Sequence, residues 1–230
     1  MFRPYIKRTP ILVLIALINL LLVYISYQSY SFTESKDYDL KITASTIMKN
    51  ILEVTHTLDR STYDSLSYDR FNSGLIGLDS TNITTKKGFL ESKVATTNPN
   101  FAAVFVSLFG DIGLSKNSSN APDTIAVSMT GSFPGANIAL LSACKALNIF
   151  PVVISSIGSS SWGANEIHKT WIEIENTIIE SGYFVNGSTA ISLGGDNDNL
   201  DELSNDVRKE LKQKIINNNF NIIEGKSIQE

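Results

Sequence analysis
The run TIAVSMTGSFPGANIALLSACKALNIFPVVISSIGSSSWG, residues 124–163, decides how the chain folds. Thr124–Ser128 and Phe150–Ser155 are short apolar stretches rich in β-branched residues, which read as buried strands. Between them the glycine-bearing turn MTGSFPG leads into a helix expected over Ala136–Leu147. The theme then recurs. SIGSSSWG leads into a helix expected over Asn165–Ser181, and Ser188–Leu193 is a third strand. GGDNDN leads into a helix over Leu200–Ile216, with Leu200, Leu203, Val207, Leu211 and Ile215 on one face, and Phe220–Ile223 supplies a fourth strand.

Strands alternating with helices of this length imply βαβ crossovers and a mainly parallel sheet. The expected class is α/β, a three-layer, Rossmann-like domain with helices on both faces of the sheet. Right-handed crossovers gather the three strand-to-helix loops at the carboxyl edge, where open α/β sheets bind ligands.

Upstream the regularity fades. Asn98-Pro99 opens a helix through Phe101, Val104, Phe105 and Leu108 that ends near Gly110 or Gly113, followed by a loop over 116–122. Residues 61–98 are polar and turn-rich and read as an irregular cap or a small β element. Leu40, Ile47, Ile51, Val54 and Leu58 share one face of a juxtamembrane helix over 33–60, which packs on its own domain or serves as a stalk or dimerisation helix.

The mean hydropathy of +0.03 is high for a soluble chain. The excess sits between Ile11 and Ile25, apolar except for Asn19. A helix from Pro10 to Tyr30 would rise ~31 Å, the depth of a hydrocarbon core. Arg3, Lys7 and Arg8 precede it, acidic residues follow it, and Tyr24, Tyr27 and Tyr30 suit the far interface. A cleaved signal peptide and a buried core helix are the rival readings. The stretch YISYQSYSF (24–32) holds neither a small-residue exit nor a lipobox cysteine, which favours an uncleaved anchor. The expected organisation is therefore a cytoplasmic tail (1–9), a transmembrane signal anchor (10–30), a juxtamembrane helical segment (31–72) and an extracytoplasmic α/β domain (73–230).

Charge and cysteine count narrow the function. The 230 residues carry a net charge of −4, and setting aside the three basic residues before the anchor leaves 16 basic against 23 acidic side chains. No nucleic-acid partner is expected of such a chain. The single cysteine, Cys144, excludes an internal disulfide and a cysteine-based zinc site.

The three loops carry the candidate chemistry. Thr130-Gly131-Ser132 before Pro134 and Gly135 offers free amides and a helix start to a carboxylate or phosphate, or else only a tight turn. Neither a Walker A lysine nor a G-x-G-x-x-G spacing is present, so no nucleotide cofactor is expected. Ser161 is the best-placed nucleophile, with Ser132 second, although the G-x-S-x-G elbow is not matched. His168, seven residues on, is a candidate base or a structural histidine; Trp162 and Trp171 are core or groove wall, with core favoured for Trp171. Asp196, Asp198 and Asp201 after Gly194-Gly195 read foremost as helix caps, with a catalytic or anion-orienting aspartate, Asp196, second; a hard-cation site is the last reading and is not adopted, because the rest of an EF-hand loop is missing.

Together these residues resemble the poly-gamma-glutamate system protein family. The resemblance runs through GLIGLDSTNITTKKGFLESKVATTNPNFAAVFV (74–106), VSMTGSFPGANIALLSA (127–143), PVVISSIGSSSWGANEIHKTW (151–171) and SLGGDNDN (192–199). It implies a bacterial cytoplasmic-membrane protein, anchored with its N-terminus inside, that serves synthesis, export or attachment of a gamma-linked glutamate polymer. The implied partners are the bilayer, the synthase and export proteins, and the anionic polymer. The family's chemistry is not established, so only loop positions carry over, as a ligand-binding set: Ser128, Gly131, Ser132 and Gly135, then Ser161, Trp162 and Gly163, then Gly194, Gly195 and Asp196. Family members continue past the position of Glu230, so the resemblance implies a chain shortened at its C-terminus and an uncovered sheet edge. Polymer binding, polymer hydrolysis or transfer, and scaffolding of the synthase are the three functional expectations.

Overall fold
The computed structural model describes residues 9–30, 34–57, 68–114 and 122–224. Residues 1–8 of the expected tail, 58–67, 116–121 of the expected loop, and Glu230 lie outside the described residues. The chain divides between Lys36 and Asp37 into two units.

The first unit holds one helix, α1 (Thr9–Ser29), long and apolar enough to cross a membrane, with none of its residues buried. At ~1.5 Å per residue it spans ~31 Å, a hydrocarbon core's depth.

The second unit is mixed α/β. Its strands β1 (Thr124–Thr130), β2 (Phe150–Ser156), β3 (Ala190–Ser192) and β4 (Asn221–Ile223) form one parallel sheet in the order β1-β2-β3-β4. Its helices are α2 (Tyr38–His56), α3 (Leu90–Thr96), α4 (Phe101–Asp111), α5 (Pro134–Leu147), α6 (Trp171–Glu180) and α7 (Asn205–Asn217).

The strand order corrects the expected layering. Each crossover moves one strand further in the same direction, so right-handed connections put α5, α6 and α7 on the same face. Ile125, Val127, Met129 and Val153 pack there with Ile138, Trp171, Ile174 and Ile178, while Ile191 and Ile222 pack with Leu211 and Ile215. The opposite face is open: Phe150, Val152 and Ile154 on β2 are 43%, 39% and 43% exposed, and Ser128 lies beside Ile154 on the same face. The layers run sheet, then α5 to α7, then α2 and α4 outside α5, rather than helix, sheet, helix. α5 is buried on nearly every side because the sheet flanks it on one side and α2 and α4 on the others.

Local chemistry sets the element ends. α6 starts at Trp171, six residues later than expected, because Thr170 and Glu173 form a reciprocal capping box. α7 starts at Asn205 because Ser204 caps it through the Val207 N–H, so Leu200 and Leu203 precede the helix rather than belonging to it. α2 buries Ala44, Met48, Ile51, Leu52 and Thr55, a face rotated from the expected one, with Leu40 and Ile47 at its margin. α4 buries Ala102, Val106 and Phe109 and leaves Val104 and Leu108 exposed.

One carboxyl is buried under the sheet. Ser188 Oγ donates 2.9 Å to Glu175 Oε1 and itself contacts Ser155 Oγ, while Glu175 Oε2 has no partner. Burial pushes the Glu175 pKa up. A raised carboxyl pKa favours the folded state fully below the unfolded value of about 4.3, and that advantage is lost as pH rises through the folded value. Glu175→Gln should therefore flatten the fall in stability as pH rises above about 4.3, as read by denaturant midpoints of the detergent-solubilised chain. In the same assay Ile191→Ala should cost about 2–5 kcal/mol, and Ile154→Ala on the open face less than about 1 kcal/mol.

Candidate functional site
The loops after β1, β2 and β3 meet at the carboxyl edge and bind one another. Ala164 N–H and Ser159 Oγ donate to Gly131 O at 2.8 and 3.1 Å, and Gly158 N–H donates to Leu193 O at 2.9 Å. Gly131 suits this approach: a Cβ there would press on Ile157 O and Gly158 O at 3.0 and 3.1 Å.

A fourth segment, residues 77–88, is laced across the loop after β2. Trp162 N–H donates to Leu78 O, Ser161 N–H to Lys86 O and Thr85 N–H to Ser159 O, each at 2.9 Å. Asn165, 0% exposed, closes this lacing. Its Oδ1 accepts Leu78 N–H at 3.0 Å, and its Nδ2 donates to Leu78 O at 2.7 Å and Thr84 Oγ1 at 2.9 Å. The expected irregular cap is thus an integral wall of the edge.

This lacing changes the reading of the nominated residues. The amides of Gly131, Ser132, Ser161, Trp162, Gly163 and Gly194 all donate within the protein, so they are not free to hold a ligand. Ser161, expected as the leading nucleophile, is 3% exposed, and its Oγ faces Lys86 O at 3.4 Å. Gly135 sits where a Cβ would meet Thr96 O at 2.7 Å, which makes it a packing glycine. Gly163 is likewise a close-approach position, 2.5 Å from Ser159 Oγ to a Cβ. Trp162 takes φ +66° and meets Tyr68 edge-on at 5.1 Å, while Trp171 is fully buried core.

The third loop folds on itself. Gly194 and Gly195 have φ +74° and +70°, and Asp198 accepts from Ser192 Oγ at 2.7 Å and Gly194 N–H at 2.9 Å. Asp196 pairs with Lys86 at the surface, and Asp201 pairs with Arg208 at 3.0 Å, so none of the three aspartates caps α7. His168 is exposed in the loop ahead of Thr170, not on the helix, and it is not brought to Ser161. No group of three or more metal-ligating side chains occurs among the described residues.

What the edge does assemble is a group the sequence concealed. Lys93, on α3, is 2% exposed and points into the edge. Its Nζ donates to Ser160 Oγ at 2.9 Å and to Ser132 O, and it lies 3.5 Å from the centroid of the Phe133 ring. Ser132 Oγ in turn accepts Ser160 N–H at 3.0 Å. Burial brings the Lys93 pKa down to about 8, and no carboxylate among the described residues pairs with it. Lysine in a polar, turn-rich stretch reads as solvated, and no spacing in the sequence marks its burial. Phase distinguishes the three serines: Ser159 turns to Gly131, Ser161 to Lys86, and Ser160 between them to Lys93. A separate cleft of about 460 Å³ lies along another side of α3, between Tyr68, Arg70 and Phe71 and the residues Glu91, Val94, Ala95 and Asn98.

The buried amine has a stability signature. Between its folded value of about 8 and the unfolded value of about 10.4, the unfolded chain holds more protons, so stability rises with pH across that window. Relative to Lys93→Met, the wild-type chain should gain up to about 3 kcal/mol between pH 7.5 and 10.5, measured by chemical denaturation in detergent. Comparison with known proteins adds no further assignment: no family model, curated protein or solved structure matches the chain.

Proposed function
We propose that this chain is a membrane-anchored accessory component of a bacterial poly-gamma-glutamate synthesis or export system, with its α/β unit outside the cytoplasm. The observation that carries this reading is the convergence of its separate blocks of resemblance. Segment 74–106 supplies the wall at 77–88 and Lys93, 127–143 supplies Ser132, 151–171 supplies Ser160 and Asn165, and 192–199 supplies the loop that pairs with Lys86. Residues far apart in sequence are held in one edge, as a shared working surface requires.

The other supports are physical. α1 is long and apolar enough to act as an anchor, and the basic residues before it favour a cytoplasmic N-terminus. The acidic balance past the anchor keeps the unit off anionic lipid and free of nucleic acid. In this reading the emerging polymer is received at the Lys93, Ser160 and Ser132 group rather than by the loop amides. No cofactor takes part.

Deletion of the gene in its native host tests the assignment. Polymer amount, chain length or surface retention should change, and no change in all three removes the pathway reading. Placement is tested separately: an alkaline phosphatase fusion after Glu224 should be active and a cytoplasmic reporter fused there inactive. The reverse pattern would put the α/β unit inside.

A further inference from the structure
We propose that Ser160 and Lys93 form an acyl-transfer dyad, Ser160 Oγ being the nucleophile and Lys93 its general base, acting on an amide flanked by carboxylates. The choice of substrate rests on the polymer reading above; the dyad itself rests on geometry.

A lysine can serve as base only where the amine is desolvated and lacks a carboxylate to hold its proton. Lys93 meets both conditions: it is 2% exposed, and its neighbours are a backbone carbonyl, a hydroxyl and an aromatic ring. Among the described residues no titratable side chain pairs with Lys93. Glu91 is exposed on α3, Lys86 is held by Asp196, and Lys87 is exposed without an ion pair among the described residues. With its pKa near 8, roughly a tenth of the amine is neutral at pH 7.

Ser160 is half-buried, and its backbone is fixed by the Ser132 hydroxyl. The space beside it is kept clear by Gly88, where a Cβ would fall 3.2 Å from Ser160 Oγ and 3.3 Å from Lys93 Cε. Across the 2.9 Å contact the protonated amine donates to Ser160 Oγ. Once neutral, it accepts the hydroxyl proton along the same line.

The step balances without any further reagent than water. Neutral Nζ takes the Ser160 proton as Oγ bonds to the carbonyl carbon of the amide. The resulting ammonium returns that proton to the amide nitrogen as the C–N bond breaks, leaving an acyl ester on Ser160 and a free amine. Water, or a second amine, then attacks the ester with Lys93 again as base, giving hydrolysis or transfer. Exposed Lys87, one residue beyond the Lys86 carbonyl that holds Ser161, adds a cation at this edge for the flanking carboxylates.

A fluorophosphonate probe, which esterifies an activated serine with loss of fluoride, tests the dyad on the full chain in detergent micelles. Peptide mapping should find the adduct on Ser160. The labelling rate should rise with pH to a plateau with its midpoint near 8, and Ser160→Ala should abolish the adduct. Lys93→Met or Lys93→Arg should slow labelling at least tenfold. No adduct on Ser160 between pH 7 and 10 overturns the proposal, as does an unchanged rate in a folded Lys93 variant. If both Lys93 variants fail to fold, the wild-type pH midpoint decides: a value near 8 supports the lysine base and a rate independent of pH overturns it. Incubation with synthetic oligo-gamma-glutamate separates the two readings. Shortened or joined chains support both, whereas labelling of Ser160 with intact oligomer keeps the dyad and removes the polymer as its substrate.

Discussion

The buried carboxamide of Asn165 is the tie on which the edge depends. With Oδ1 and Nδ2 both engaged by the backbone of Leu78, it mimics a strand partner for a segment that has no ladder of its own. A buried amide that lost these bonds would leave polar atoms unpaired on both sides, at about 1–3 kcal/mol for each group. The wall at 77–88 is thereby fixed against the loop after β2, and α3 follows with Lys93 directed inward. Gly77 and Gly88 permit the approach, since a Cβ at either would fall 2.1 and 2.6 Å from the carbonyls of Gly163 and Ser161.

The same tie explains why glycine- and serine-rich loops are not here an anion cradle. Such loops bind ligands when their amides point into empty space. In this chain the amides are taken up by carbonyls, hydroxyls and the Asp198 carboxylate, within the loops as well as between them, and the wall engages several more. What remains chemically free is a side-chain group at the seam between wall and loops. There, low polarity acts on an amine rather than on a carboxylate.

The parallel strands were legible because short β-branched runs alternate with helical ones, and α5 falls close to its expected span while α7 keeps Val207, Leu211 and Ile215 of its expected face. Which face each helix takes was not legible. Crossovers that step to the right or to the left have the same local sequence, and only the order of the strands distinguishes them. The boundaries of α6 and α7 moved because Thr170 and Ser204 cap more effectively than the earlier polar residues. In the site, the loops were legible as a place but not as a chemistry. Ser161 and His168 carry plausible residue types, yet one faces a carbonyl and the other solvent. Lys93 was invisible because its burial is created by partners 39 and 67 residues away in the chain.

Strand order also dictates an assembly sequence. Each strand pairs with the one before it across a single helix, so the sheet can grow by successive addition with modest loop-closure entropy. The wall is different, because residues 78 and 165 meet across 87 positions. Its docking closes a longer loop than any single strand-to-strand step, at a correspondingly larger entropic cost. The edge is then also the region with most to lose in a local opening: release of the wall would withdraw Lys93 from Ser160 while the sheet stayed intact. The Lys93–Ser160 contact is thus a product of long-range assembly, absent from any state in which the wall is undocked.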